Sequence, residues 1–120
     1  MQAGRELDAL VAEKVMGLNI RYPTDGNVPR EPFYWAKDDD GYEEPFACPH
    51  YSTDISAAWE VVEKLMGSGA MFGFVLSVLD DRHTTAVFSE TAGHGYRGIS
   101  EEAPHAICLA ALKAMGVEED

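Results

Sequence analysis

Basic residues are scarce in this chain of 120: nine Lys and Arg stand against 21 Asp and Glu, a formal net charge of −12. Such an acidic surface repels a polyanion, which excludes a general DNA or RNA binder. A small phosphate-bearing ligand stays compatible, because a few well-placed arginines make a local positive pocket on an acidic body. Cysteine is nearly absent too: Cys48 and Cys108 lie far apart and match no metal or redox spacing. No apolar run reaches membrane-spanning length and no signal-peptide layout opens the sequence, so no membrane is expected and the default compartment is cytoplasmic. The length fits a single domain, residues 1–120, whose core oligomerisation would help to complete.

What is present begins with helical periodicity. In residues 3–18, Leu7, Leu10, Val11, Val15 and Leu18 make one stripe, while Arg5, Glu6, Asp8, Glu13 and Lys14 fall largely elsewhere, which predicts a helix. Residues 24–50 form an insertion or long irregular segment, with prolines and aromatics throughout. Short extended pieces are expected at Ile20–Tyr22 and Phe33–Ala36, with Asp38-Asp39-Asp40-Gly41 as a turn tip. That tip lacks the full pattern and closing glutamate of a calcium loop. Residues 51–69 predict a second helix, with Ser52, Thr53 and Asp54 as capping candidates and Ile55, Trp59, Val62, Leu65 and Met66 facing the core.

Residues 71–79 and 84–90 read as a β-hairpin around the polar turn Asp80-Asp81-Arg82-His83. A final helix is expected at about 101–116, with Ile107, Cys108, Ala111, Leu112 and Met115 on one face and Pro104 in the first turn. The order predicts an α/β fold, a small sandwich with three main helices and an antiparallel or mixed sheet. A hairpin alone is marginal, so its further strands are expected from residues 19–47 or from a partner chain.

Between the hairpin and the last helix, Gly93, Gly95 and Gly98 spell G-x-G-x-x-G, with His94, Tyr96 and Arg97 among them. No second parallel strand follows, and no acidic residue lies about twenty positions on within a βαβ unit, so the dinucleotide fold that gives this pattern its meaning is not expected. The local physics remains: glycines admit a ligand to the backbone, loop amides and a helix N-terminus attract an anion, and Arg97 grips phosphate in a bidentate way. Glu101 and Glu102 oppose an anion there, and a plain connector with a solvent-exposed Arg97 competes with the binding reading. Among Phe72, Phe74 and Phe88, one exposed ring would stack a base while Arg21, Arg30, Arg82 or Arg97 hold phosphates.

Cys48, His50, His94, His105 and Cys108 match no known zinc spacing, so no metal or cofactor is expected. Ser89, Ser100 and Cys108 lack the context of an activated nucleophile. A binding protein, not an enzyme, is the reading these residues favour.

The segments GRELDALVAEKVMG (4–17), YSTDISAAWEVVEKL (51–65) and APHAICLAALKA (103–114) resemble the phage ABA sandwich domain family. That name denotes an α-β-α sandwich. The chain also resembles the phage Thoeris anti-defence proteins of the cyclic-nucleotide sponge type. This resemblance implies a homo-oligomer, a dimer or hexamer, in the cytoplasm of an infected or lysogenic bacterial host. It implies binding of a glycocyclic ADP-ribose signal without cleavage, with cyclic oligonucleotides at a separate site in some members. It points to Arg97, to Phe72 or Phe88 for stacking, and to Arg21 as a second arginine, partly across a subunit interface; the local reading of the glycine-rich stretch adds His94, Gly95, Tyr96 and Gly98 to the ligand-binding set. The alternative is an acidic protein-binding inhibitor or nucleic-acid mimic that presents Asp38–Asp40, Glu43 and Glu44 to a host protein.

Overall fold

A computed structural model describes residues 1–23, 31–69, 71–90 and 93–117. Its eight elements are α1 (Arg5–Lys14), β1 (Phe33–Lys37), β2 (Glu43–Ala47), α2 (Ile55–Gly67), β3 (Gly73–Asp80), β4 (His83–Ser89), β5 (Gly95–Ser100) and α3 (Ala103–Ala114). They make a small α/β sandwich with a two-stranded and a three-stranded sheet, both antiparallel.

The centre is α3. Its residues Ala106 to Leu112 are all buried, because β4 and β5 lie along one side of it and α1 and α2 along others. Alanine at 106, 110 and 111 makes such crowding possible, since a short side chain lets neighbouring backbones approach. Gly98 completes the fit from the sheet: a Cβ there would stand 2.2 Å from the Ala106 carbonyl oxygen and 2.6 Å from the Ala110 nitrogen. Phe88 fills the space beside it, wholly buried, its ring 4.7 Å from that of Phe74.

The predicted hairpin is β3–β4, with Phe74 opposite Phe88 and Leu76 opposite Ala86. Its third strand comes from neither the 19–47 region nor a partner. It is β5, formed by the segment expected to be a glycine loop, with Tyr96 opposite Phe88 and Gly98 opposite Ala86. The alternation Tyr96, Gly98, Ser100 faces α3 and the alternation Gly95, Arg97, Ile99 faces away, so the stretch satisfies a strand despite its glycines.

Both outer helices depart from their predicted stripes. In α2 the buried residues are Ala57, Ala58, Val61, Val62 and Leu65, whereas Ile55 and Trp59 remain about half exposed. Trp59 meets the core only at its margin, edge-on to Phe74 at 5.9 Å. In α1 the acidic Asp8 is buried together with Leu7 and Val11. Asp54 caps α2 as expected, its side chain accepting from the Ser56 amide at 2.9 Å.

The segment 24–50 contributes the hairpin β1–β2, which packs mainly on itself through stacked Tyr34 and Phe46. Its tip is the predicted Asp38–Gly41 turn, where the Asp38 carboxylate accepts the amides of Asp40 and Tyr42 at 2.9 Å each. Residues 24–30, with Arg30, lie outside the described residues. No described helix is long and apolar enough to cross a membrane.

Candidate functional site

Antiparallel pairing sets the side chains of the three-stranded sheet in rows. On the face turned from α3, one row is Val75, Val87 and Arg97, a second is Ser77, Thr85 and Ile99, and a third is Gly73, Ser89 and Gly95. Phe74 against Trp59 puts α2 on the opposite face, the one α3 also covers, so no described helix overlies these rows. The third row has two glycines, so beside Arg97 the sheet offers nearly bare backbone to an approaching planar group.

Arg97 is exposed, and no described carboxylate lies within ion-pair distance of its guanidinium. Its carbonyl accepts from the Lys113 ammonium at 2.7 Å, which brings a second cation to the strand. One row away, Thr85 is 5% exposed and its hydroxyl has no hydrogen-bond partner among the described residues. An unpaired buried hydroxyl costs about 1–3 kcal/mol. Thr85, Ser89 and Gly73 line a face with Arg97 only because β5 is a strand; period-2 alternation through Tyr96, Gly98 and Ser100 is the sequence signal that reveals it.

The other expected site residues scatter. His94 is exposed at the entry to β5, its carbonyl accepting the Glu90 amide at 2.9 Å. Tyr96 points to the helix side, where its hydroxyl bonds the Glu90 carboxylate and its pKa is raised by that bond. Gly98 is occupied by α3 and has no free approach. Phe88 is a core residue, closed off by Phe74 and the helices, so stacking on it is ruled out. Phe72 is the opposite case, 74% exposed just before β3. Arg21 is exposed but belongs to the other sheet, bridged to Phe33 by hydrogen bonds of 2.8 and 2.9 Å.

Two polar clusters lie elsewhere. Asp8 accepts the amide of Ser52 at 2.7 Å and its hydroxyl at 2.6 Å, and the Ser52 oxygen in turn receives the Gly4 amide at 2.9 Å. His50 sits between Asp8 and Glu31, 3.7 Å from each, over a small cavity that Cys48 also lines. The Cys48 thiol is pushed up to about 12 by burial, then by the charges of Asp8, Glu31 and Glu13, so it is protonated and a poor nucleophile at neutral pH. The second cluster joins Ser100 Oγ to His105 Nδ1 at 2.8 Å, with His105 Nε2 donating to the Met1 carbonyl at 2.7 Å. It ties the start of the chain to the start of α3. Cys108 is wholly buried in the core and its thiol is raised far above its ordinary range, chiefly by burial. Among the described residues no three of His, Cys, Asp and Glu gather closely enough to hold a metal ion.

Comparison with known proteins gives one match. The sequence model of the Phage ABA sandwich domain family aligns with residues 9–112, nearly the whole chain. No curated protein and no solved structure matches it.

Proposed function

The chain belongs to the Phage ABA sandwich domain family, and on that footing we propose that it is a phage anti-defence protein that sequesters a cyclic nucleotide signal without cleaving it. The ligand class is glycocyclic ADP-ribose, with cyclic oligonucleotides as further candidates, and the immunity opposed is Thoeris in the host cytoplasm. The observation that supports this reading is the setting of Arg97. A guanidinium with no carboxylate partner among the described residues stands on a sheet face that no described helix covers, beside a row with two glycines, in a protein whose net charge is −12. An arginine left without such a partner can serve as a local anion site on an acidic body.

In this reading Arg97 grips the pyrophosphate and the adenine lies over the Gly95 row. Phe72 and His94, both exposed, adjoin the two glycines of that row, Gly73 and Gly95. Function needs only that the free signal stay below its effector's threshold, so slow release suffices and no bond need break. The test is thermal unfolding with cyclic ADP-ribose isomers, followed by heat denaturation and mass spectrometry of what is released. A rise in Tm that Arg97→Ala abolishes, with the ligand recovered unaltered, is expected. An equal shift in the variant, or recovery of a cleaved product, overturns the proposal.

A second reading rests on the β1–β2 hairpin. It presents Asp38–Asp40, Glu43 and Glu44 together with exposed Trp35 and Tyr42, and it packs little against the rest. An acidic arm with aromatic anchors suits a basic host protein. A complex that salt dissolves, with no small-molecule binding, would favour it.

A further inference from the structure

The rows on the face around Arg97 have a fixed spacing, because side chains on one face of a strand stand two residues apart, about 7 Å. The glycine row comes first, the row of Arg97 second, and the row of Ser77, Thr85 and Ile99 third. None of the residues in these rows is acidic, in a chain with 21 Asp and Glu. The third row holds an anomaly. Thr85 is buried, and its hydroxyl is the one buried side-chain oxygen or nitrogen without a hydrogen-bond partner among the described residues. Buried polar groups are nearly always paired, so this one calls for a partner from outside the fold. The neighbouring Ser77 is exposed and has water to pair with.

We propose that Thr85 is a specificity-determining residue of the Arg97 site, its hydroxyl pairing with a hydroxyl of the sugar that lies beyond the pyrophosphate, the distal ribose of an ADP-ribose. The inference rests on the nucleotide reading of Arg97. With adenine over the glycine row and the pyrophosphate at Arg97, a ligand that continues past its phosphates lays its next group on the third row. Order along the sheet thus matches order along the ligand.

The chemistry of the two groups agrees. A threonine hydroxyl donates one hydrogen bond and accepts others, and a sugar hydroxyl does the same, so they pair in either sense. Val75 and Val87, in the row between, offer no side-chain polar atom to compete. Access needs little movement: Ser77 and Ile99 flank Thr85 and are both exposed, and exposed side chains change rotamer within nanoseconds. Turning them outward opens the hydroxyl to a molecule resting on the face. A site that keeps a buried hydroxyl for a ligand hydroxyl also rejects an analogue lacking it, because the protein group is then left unpaired. ADP, which ends at its phosphates, is such an analogue.

Titration calorimetry of the full chain with glycocyclic ADP-ribose and with ADP separates the two roles. Thr85→Val is expected to weaken glycocyclic ADP-ribose about tenfold, the worth of roughly one hydrogen bond, and to leave ADP unchanged. Thr85→Ser, which restores the hydroxyl, should bind both as the wild type does, and Arg97→Ala should lose both. Removing an unpaired buried hydroxyl does not weaken the fold, so a melting temperature taken beside each titration keeps lost affinity apart from lost structure. If Thr85→Val weakens both ligands equally or neither, or if Thr85→Ser binds no better than Thr85→Val, the role of Thr85 is overturned, while loss of binding in Arg97→Ala keeps the nucleotide reading standing. A wild type that binds neither ligand, or an Arg97→Ala variant that binds as the wild type does, overturns that reading and this one with it.

Discussion

The Asp8 carboxylate of α1 holds both the backbone amide and the hydroxyl of Ser52, at 2.7 and 2.6 Å, and so fastens the first helix to the loop that starts the second. The carboxylate is buried, which makes these bonds necessary to it. Asp8→Ala leaves two donors of Ser52 unsatisfied and is expected to cost about 2–3 kcal/mol in urea denaturation, whereas Ser52→Ala should cost about 1–2 kcal/mol. The double variant should cost less than the sum of the two, because the singles break a shared contact.

Gly95 and Gly98 sit three residues apart in one strand and should respond differently to the same methyl group. At Gly98 the added carbon meets α3 backbone at 2.2 Å, and backbone cannot step aside, so Gly98→Ala should destabilise by about 3 kcal/mol or prevent folding. At Gly95 the nearest atom is the Val87 side chain at 3.4 Å. Gly95→Ala should fold with a Tm close to the wild type and yet bind the proposed ligand more weakly, because it roughens the floor beside Arg97.

Thr85→Val exchanges an unpartnered hydroxyl for a methyl of the same shape, and chemical denaturation should show a gain of about 1 kcal/mol. A loss of that size would mean that the hydroxyl has a partner in solution.

Both thiols are held protonated, as is the phenol of Tyr51, which burial raises first of all. An acid whose folded pKa exceeds its unfolded value supports the fold fully below the unfolded pKa and loses that contribution as pH climbs toward the folded one. For Cys48 that window runs from 9.0 to about 12. Stability should therefore be insensitive to these groups at neutral pH and fall above about pH 9. Iodoacetamide at pH 8 should leave Cys48 and Cys108 unmodified in the native protein and label both in urea, which mass spectrometry reads directly.

The helices and the β3–β4 hairpin were legible because their apolar residues repeat at the expected periods. The third strand was not, and the reason lies in Gly93, Gly95 and Gly98. Glycine is a poor strand former by itself, and the close packing of α3 that makes Gly98 necessary is a tertiary fact. Strand β2 was obscured in the same way by Glu43, Glu44 and Pro45, tolerable only because its hairpin has free edges. Asp8 and Trp59 show the limit of periodicity in opposite directions, since a helical wheel places residues but does not say which neighbour arrives. Of the expected site, Arg97, Gly95, His94 and Phe72 are exposed, while Phe88 and Gly98 belong to the interior.

The excursion that carries the β1–β2 hairpin leaves and rejoins the body at nearly one point. Arg21 is bonded to Phe33, and the Cys48 amide donates to the Pro32 carbonyl at 2.8 Å. A loop closed at its own base can change length at little entropic cost, since that cost grows only with the logarithm of the number of residues. The outer part of the hairpin, about the Asp38–Gly41 tip, is thus open to change in length while α1, α2, α3 and β3–β5 keep their arrangement. The hairpin is a place where a new recognition element can be grafted without redesigning what carries it.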